Sequence, residues 1–212
     1  LSDICFRGPE ETLRSTHICQ PAIYVMSLAC LAALRERQSV RPLACGGLSL
    51  GEFAALEAAG ALTFDNGLRL VAERGRLMEE ACRATDGAMA AILTGNLPAV
   101  EEICRTHDID IANYNCPGQV VISGERQRVE AAAAELEKHA DVSRTVMLNV
   151  DGAYHSRLMA PAAEEFAAVL DDTPFSPPQC PVAQNAVGEL VTEPDAIREN
   201  LRAHVTGSVR WE

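Results

Sequence analysis

The segment Gly47-Leu48-Ser49-Leu50-Gly51 has the residue types and spacing of a nucleophile elbow, the GxSxG turn that joins a strand to a helix. Its glycines allow a turn too tight for side chains, so the serine hydroxyl projects clear of the backbone. The amides at the start of the following helix lack intrahelical partners, which makes the Leu50 N–H a natural oxyanion donor. The pattern predicts acyl chemistry on Ser49. The alternative is a glycine-rich turn in which the serine only caps a helix.

A serine nucleophile requires a base, and the sequence has five histidines. His155 follows a predicted strand that ends at Val150 and precedes a predicted helix, a loop position where α/β proteins collect functional groups. His17, His107 and His139 have polar or amphipathic neighbours, which predict surface positions. The pattern leaves two roles open for His155, a catalytic base or a structural histidine.

Arg74 lies where a predicted helix should be apolar. At helical periodicity it falls in the middle of a stripe formed by Leu70, Val71, Leu77, Met78 and Ala81. A guanidinium buried there costs several kcal/mol unless an anion meets it. The stripe therefore predicts an internal carboxylate or a ligand carboxylate beside Arg74, or a stem that carries the charge out to solvent.

The predicted elements that position these residues begin with a helix from Pro21 to Arg37, since proline is well tolerated in a first helical turn. A short buried strand over Pro42–Gly47 leads into a helix that begins near Ser49 and ends at Gly60. Another amphipathic helix covers residues 68–82. The serine thus lies in the strand, turn and helix context that its motif requires.

The middle of the chain changes pattern. A strand, a helix, two strands, a helix and a strand are predicted over residues 88–93, 97–106, 109–113, 119–123, 125–139 and 144–150. This order is typical of a ferredoxin-like unit. Helices over 158–170 and 195–203 and a strand over 182–185 follow. We expect an α/β fold in which a hydrolase-like parallel-sheet body, residues 1–85 and 151–212, carries an inserted ferredoxin-like βαββαβ subdomain at 86–150.

Composition excludes several classes of protein. The chain has 212 residues, of which 48% are hydrophobic and 23% charged, which is typical of a folded globular protein. A net charge of −12 disfavours nucleic acid and anionic membranes as partners, and the apolar stretch 22–34 is short for a membrane span. The eight cysteines form no CxxC pair, so we expect reduced thiols, a cytoplasmic location and no metal site.

Seven segments, in order along the whole chain, resemble the malonyl-CoA:acyl carrier protein transacylases and the acyltransferase domains of polyketide synthases. They are QPAI (20–23), GLSLGEFAAL (47–56), ERGRLM (73–78), GAMAAIL (87–93), ANYNCPGQVVISG (112–124), GAYHSRLM (152–159) and VRW (209–211). The resemblance implies that Ser49 accepts the acyl group, that His155 is its base and that Arg74 binds the free malonyl carboxylate.

The resemblance also implies supporting roles for other residues. Asn113 and Asn115 match a pair that orders the site, and Tyr154 lies where malonyl users carry a bulky aromatic residue. His204 replaces a glutamine whose backbone carbonyl orients the catalytic histidine, a contact that the substitution permits. Leu48 replaces the histidine that usually precedes the nucleophile, which indicates a change in substrate handling.

The ends of the chain depart from the family as well. The family opens with a strand and a loop whose glutamine supplies a second oxyanion donor, and this sequence starts after that loop. It also stops before the family's Gly-rich closing segment. We therefore expect that the sequence represents most, but not all, of the functional protein.

The resemblance implies a two-step transfer of malonyl from malonyl-CoA to the phosphopantetheine thiol of an acyl carrier protein, with no cofactor, by a monomer or a part of a larger synthase. Two alternatives stay open. A serine hydrolase would need an acid between Ser49 and His155, for which Asp86, Asp108, Asp110, Asp141 and Asp151 are available. An inactive carrier-protein docking domain is the other.

Overall fold

The computed structural model describes residues 1–150 and 152–212, and their fold is mixed α/β, as predicted. The helices are α1 (Ser2–Arg7), α2 (Glu10–Arg14), α3 (Thr16–Arg37), α4 (Gly51–Ala58), α5 (Phe64–Ala84), α6 (Leu97–Thr106), α7 (Arg126–Leu136), α8 (Ala160–Asp171) and α9 (Pro194–His204), with a 3-10 turn at Arg157–Met159. The strands are β1 (Gly87–Thr94), β2 (Asp110–Cys116), β3 (Gln119–Glu125), β4 (Val142–Met147), β5 (Val182–Gln184), β6 (Glu189–Val191) and β7 (Val209–Arg210).

These elements form two compact units. Unit 1 comprises Leu1–Glu79, Glu164–Asn185 and Glu189–Arg202, and unit 2 comprises Glu80–Ala163, Ala186–Gly188 and Ala203–Glu212. The predicted boundaries at residues 86 and 150 fall inside the longest segment of unit 2. The division of the chain at those two residues stays a prediction.

Unit 2 is built on a five-stranded sheet with the order β4-β1-β3-β2-β7. The first four strands pair antiparallel, and β7 pairs parallel with β2. All six elements predicted for this part of the chain form in the predicted order, and α6 has the predicted bounds. Helices α6 and α7 bury apolar faces against one side of the sheet, in a cluster that contains Ile92, Val100, Ile122, Val129 and Leu136.

Unit 1 is mostly helical. Its fully buried side chains include Tyr24 of α3, Phe53 of α4, Leu70 of α5 and Phe166 of α8. The rings of Phe53 and Phe166 meet edge to face with their centroids 6.3 Å apart, a favourable aromatic geometry. Helix α4, which follows the elbow, is therefore anchored in the core of the unit.

Two predicted elements of unit 1 differ in the structure. Helix α3 begins at Thr16 and contains Pro21, because the carbonyl of Ser15 already accepts the amides of Ile18 and Cys19. The predicted strand Pro42–Gly47 is reduced to one parallel bridge, between Cys45 and Val182. Its predicted burial is also wrong, since Leu43 is 95% exposed.

Helix α3 meets the length and composition of a membrane span, which is weak evidence because core helices of soluble proteins meet them as well. Gln20, Pro21, Tyr24 and Leu28 are its buried residues. Gln20 contacts α5 through Arg74, so that face of α3 packs inside unit 1.

Candidate active site

The elbow carries the backbone strain that its motif predicts. Ser49 has a φ of +48°, in the left-handed region that few residues other than glycine adopt. The Gly51 amide donates to the Leu48 carbonyl at 2.9 Å, and the Glu52 amide to the Ser49 carbonyl at 3.1 Å. A Cβ on Gly47 would lie 2.1 Å from the backbone of Gly51, so the turn cannot form with a side chain at that position.

The two glycines of the motif differ in how much space surrounds them. Nothing lies within 4 Å of a Cβ placed on Gly51, so that position has room for a side chain. The predicted oxyanion donor, the Leu50 N–H, is not among the amides that close the turn in the described residues. Leu50 directly precedes α4. Its N–H therefore lies at the start of a helix, where amides lack intrahelical partners and can donate to an oxyanion.

Arg74 of α5 is 2% exposed and lies against the nucleophile. Its Nη2 donates to Ser49 Oγ at 3.1 Å and its Nη1 donates to Gln20 Oε1 at 2.7 Å. The guanidinium carbon lies 5.7 Å from the centre of the Phe53 ring, where a cation–π contact forms. A fixed, buried positive charge is therefore in contact with the hydroxyl predicted to carry the acyl group.

Glu52 is the internal acid of this site. It is fully buried in the first turn of α4, and burial raises the pKa of its carboxyl to about 7. The amide of Asn185 and the charge of Arg74 act in the opposite direction and lower that pKa. Arg74 thus has an internal acid in its electrostatic environment, which is one of the predicted alternatives, and it also contacts Ser49 Oγ.

The sequence did not reveal the roles of Asn185 and Gln20. Asn185 accepts the Ser49 N–H and donates to the Gly47 carbonyl, although it lies more than a hundred residues away in the chain. The preceding strand β5 has only three residues, which is too short for a periodic pattern that would predict a role for Asn185. Gln20 was detectable, because it is a polar residue on the apolar face of a helix, as Arg74 is.

In unit 2, His155 is 4% exposed and has a φ of +55°. Its Nδ1–H donates to the backbone carbonyl of His204 at 2.9 Å, which is the contact that the resemblance implies. Since a carbonyl can only accept, Nδ1 holds the proton and Nε2 of the neutral ring keeps its lone pair. The two rings also stack, with centroids 4.9 Å apart. This ring is oriented to act as a base through Nε2.

The remaining predicted residues occupy separate places. Tyr154 packs against a small buried cluster of unit 2, the Met89 cluster, which is formed by Met89, Ala112 and Val121. Asn113 is buried in β2, opposite Val121 of β3 and Val209 of β7. Asn115 donates to Gln119 Oε1 at 3.1 Å and so orders the hairpin between β2 and β3. Leu48 is 43% exposed.

The acids that a hydrolase triad would use have other partners. Asp86 binds Arg126, Asp108 binds Arg128 and Arg157, Asp110 binds Arg157, and Asp141 accepts from Asn96. Asp151 lies outside the described residues. The position that a triad acid would take on His155, its Nδ1, is held by a backbone carbonyl.

Among the residues that the structure describes, no group of three or more His, Cys, Asp or Glu side chains is placed to hold a metal ion. The eight cysteines are all free thiols in the same residues.

The chain was compared with known proteins. The family described as "Acyl transferase domain" matches residues 1–206. The malonyl CoA-acyl carrier protein transacylase of Bacillus subtilis (strain 168) is 40% identical over 217 aligned positions, which cover 100% of this chain and 68% of that protein. The polyketide biosynthesis malonyl CoA-acyl carrier protein transacylase PksC of the same organism is 39% identical, over an alignment that covers 98% of this chain and 72% of that protein.

Solved structures of malonyl-transacylases resemble this chain in fold as well as in sequence. A malonyl-transacylase in complex with its type II polyketide synthase acyl-carrier protein superimposes with a TM-score of 0.94 at 36% identity, over 99% of this chain and 69% of that one. Together with the elbow at Ser49 and the buried Arg74, these matches show that the chain belongs to the acyl transferase domain family.

Proposed function

We propose that this protein moves a malonyl group from malonyl-CoA to the phosphopantetheine thiol of an acyl carrier protein, in fatty-acid or polyketide synthesis. The observation that carries the proposal is the contact between the buried guanidinium of Arg74 and Ser49 Oγ at 3.1 Å. A neutral acyl group would gain nothing from a buried cation beside the nucleophile. A malonyl group brings the carboxylate that this cation can bind.

The first step acylates the enzyme. Nε2 of His155 takes the hydroxyl proton of Ser49 while Oγ attacks the thioester carbonyl carbon of malonyl-CoA. The carbonyl electrons move to its oxygen, and the Leu50 N–H donates to the resulting oxyanion. When the tetrahedral intermediate collapses, the carbon–sulfur bond breaks and the proton on His155 passes to the coenzyme A thiolate.

Arg74 holds the acyl group between the two steps. The carboxylate of a malonyl ester is separated from Oγ by only the carbonyl carbon and one methylene, so it lies within reach of a guanidinium that already contacts Oγ. A guanidinium and a carboxylate can form two parallel hydrogen bonds, which fix orientation as well as charge. Gln20 keeps one end of the fork in place from α3.

The second step reverses the chemistry with a different thiol. The phosphopantetheine thiol of the carrier protein gives its proton to His155 and attacks the Ser49 ester, and Ser49 leaves with that proton. The reaction requires no metal or bound cofactor. We expect the protein to act in the cytoplasm, as a monomer or a part of a larger synthase, without nucleic acid or membrane partners.

Tyr154 supports a preference for malonyl over methylmalonyl. Its side chain precedes the base and packs on the Met89 cluster, which leaves it little freedom to make room for an α-methyl group. One methyl group discriminates by about 1–3 kcal/mol, which is a preference and not a barrier. Single-turnover acylation with the two coenzyme A esters measures it.

Transfer itself tests the proposal. The protein is mixed with malonyl-CoA labelled in the malonyl group and with carrier protein bearing its phosphopantetheine arm, and carrier lacking the arm serves as the matched control. We expect label on the complete carrier alone. Release of free malonate with both carriers unlabelled would identify a serine hydrolase instead, and a protein that never gains label would be an inactive docking domain.

A further inference from the structure

Ser49 needs outside support to keep its backbone conformation. A φ of +48° is unfavourable for any residue with a Cβ, and the surrounding structure must hold it in place. The turn bonds described above engage the Ser49 carbonyl but leave its N–H to be satisfied elsewhere. The group that satisfies it therefore controls where the nucleophile stands.

The side-chain amide of Asn185 is that group, and it binds the elbow on both sides of the serine. Its Oδ1 accepts the Ser49 N–H at 2.7 Å, and its Nδ2 donates to the Gly47 carbonyl at 2.8 Å. Both bonds come from one planar group that offers an acceptor and a donor. Aspartate would keep only the acceptor, and alanine would keep neither.

Asn185 is itself fixed from two directions. It is 1% exposed, and its backbone N–H donates to Glu52 Oε2 at 3.0 Å. It follows β5, whose residue Ala183 donates to the Cys45 carbonyl at 2.8 Å, just before the elbow. Because the Glu52 amide donates to the Ser49 carbonyl, the three residues form a closed ring of hydrogen bonds around the turn.

We propose that Asn185 is a positioning residue for acyl transfer, which holds Ser49 in its reactive conformation, and that Glu52 keeps Asn185 in register with the elbow. The inference rests on the proposed function. A shift of the Ser49 backbone would move Oγ away from both the Arg74 contact and the oxyanion donor. Loss of the carboxamide should therefore slow the acylation step and leave coenzyme A binding nearly unchanged.

The test compares Asn185→Ala with Gln184→Ala. Gln184 is the adjacent residue and is equally buried at 1% exposure, and its side-chain amide has no hydrogen-bond partner among the described residues. We expect Asn185→Ala to lower the single-turnover acylation rate by about 10²-fold, with KM for malonyl-CoA changed less than about threefold. Gln184→Ala should lower the rate less than about threefold, and the thermal unfolding midpoints of both variants measure any change in stability separately.

Conservative variants separate positioning from folding. Asn185→Asp keeps the acceptor for the Ser49 N–H and should fall between the wild type and Asn185→Ala. Glu52→Leu should lower the rate in the same direction, and Glu52→Gln, which retains an acceptor for the Asn185 amide, should restore most of it. If Asn185→Ala does not fold, the acylation rates of Asn185→Asp, Glu52→Leu and Glu52→Gln are compared with that of the wild type instead.

A fluorophosphonate probe distinguishes failure of this inference from failure of the proposed function, because it reacts with an activated serine without any carboxylate. The wild type should react rapidly, and Asn185→Ala should slow by a factor similar to that seen with malonyl-CoA. A wild type that reacts with the probe but not with malonyl-CoA would refute the proposed function alone. An Asn185→Ala protein that matches Gln184→Ala in both reactions would overturn the positioning role.

Discussion

Ser49 and His155 have the same unusual backbone conformation but form hydrogen bonds with different kinds of group. Both are non-glycine residues with φ near +50°, one in unit 1 and one in unit 2. The backbone N–H of Ser49 donates to the side chain of Asn185, whereas the ring of His155 donates to the backbone carbonyl of His204. A side-chain contact depends on the identity of the residue, and a carbonyl contact does not. The nucleophile should therefore be the more sensitive of the two to substitution of its support.

Asp108 shows that the conformation alone has no functional meaning. Its φ is +53°, yet it lies in the turn after α6, where the Ile109 amide donates to the Cys104 carbonyl and closes the end of the helix. Its carboxylate is exposed and binds Arg128 and Arg157, which lower its pKa. The other two residues are less exposed, since His155 is buried and Ser49 is half-buried against the guanidinium of Arg74.

The largest effect is expected at the histidine. His155→Ala removes the base while the His204 carbonyl and the rest of the fold remain, so malonyl transfer should fall by about 10²–10⁴-fold. Transfer rates measured with saturating malonyl-CoA and carrier protein check this. A loss smaller than tenfold would mean that another group accepts the serine proton and that the His204 contact has only a structural purpose.

Substitution of Arg74 should separate charged from neutral acyl groups. Arg74→Ala removes a charge-assisted pair of hydrogen bonds, and malonyl transfer should fall by about 10²-fold or more. Transfer of uncharged acetyl should change far less. Arg74→Lys is the matched control, because it keeps the charge but not the fork. Equal losses for malonyl and acetyl in Arg74→Ala would contradict the carboxylate-binding role.

Titration of Glu52 should make the free energy of unfolding of the protein depend on pH. Burial raises its pKa in the folded state from an ordinary 4.5 to about 7, so the native state retains a proton that the unfolded state releases between those values. The free energy of unfolding should therefore fall as the pH rises from about 4.5 to about 7. Glu52→Gln removes this titration and should gain stability over the wild type by up to about 3 kcal/mol above pH 7.

Denaturant unfolding of both proteins at pH 5 and pH 8 measures this difference. The gap between variant and wild type should widen at the higher pH. A gap that is constant across the range would show that the Glu52 carboxyl titrates at its ordinary pKa and is not desolvated as its burial indicates.

The smallest effect is expected at the support of the base. His204→Gln keeps the backbone carbonyl that accepts the His155 Nδ1–H and removes only the stacked ring, so transfer should change less than about threefold. Steady-state transfer rates test this directly. A loss as large as that of Asn185→Ala would mean that the stacked rings, and not the carbonyl, orient the base.

The sequence predicted the parts of this site that depend on local pattern. The spacing of the elbow predicted the turn at Ser49, the apolar stripe predicted an interior position for Arg74, and local sequence pattern predicted the elements of unit 2, including the bounds of α6. Each of these signals lies within one turn or one element. The contact between His155 and His204 was expected only from the resemblance to a family.

Features that depend on distant contacts were not predictable in this way. Asn185 binds Ser49 although the two residues are 136 positions apart in the sequence. The residues next to Asn185 form no pattern that predicts this contact. The predicted strand at Pro42–Gly47 does not form because an apolar run becomes a strand only where partners flank it. In the described part of the chain its one β-bridge joins Cys45 to Val182. Helix α3 begins at Thr16, ahead of Pro21, because tertiary packing of Gln20, Tyr24 and Leu28 overrides the local preference for proline at a helix start.

The proposed transfer requires that Ser49 carry the malonyl group as an ester. Intact-mass spectrometry of the protein after brief exposure to malonyl-CoA, with Ser49→Ala as the control, tests it most directly. We predict a mass increase of one malonyl group on the wild type, located by fragmentation to the peptide that contains Ser49, and no increase on the variant. An adduct on another residue, or an equal adduct on Ser49→Ala, would contradict the account.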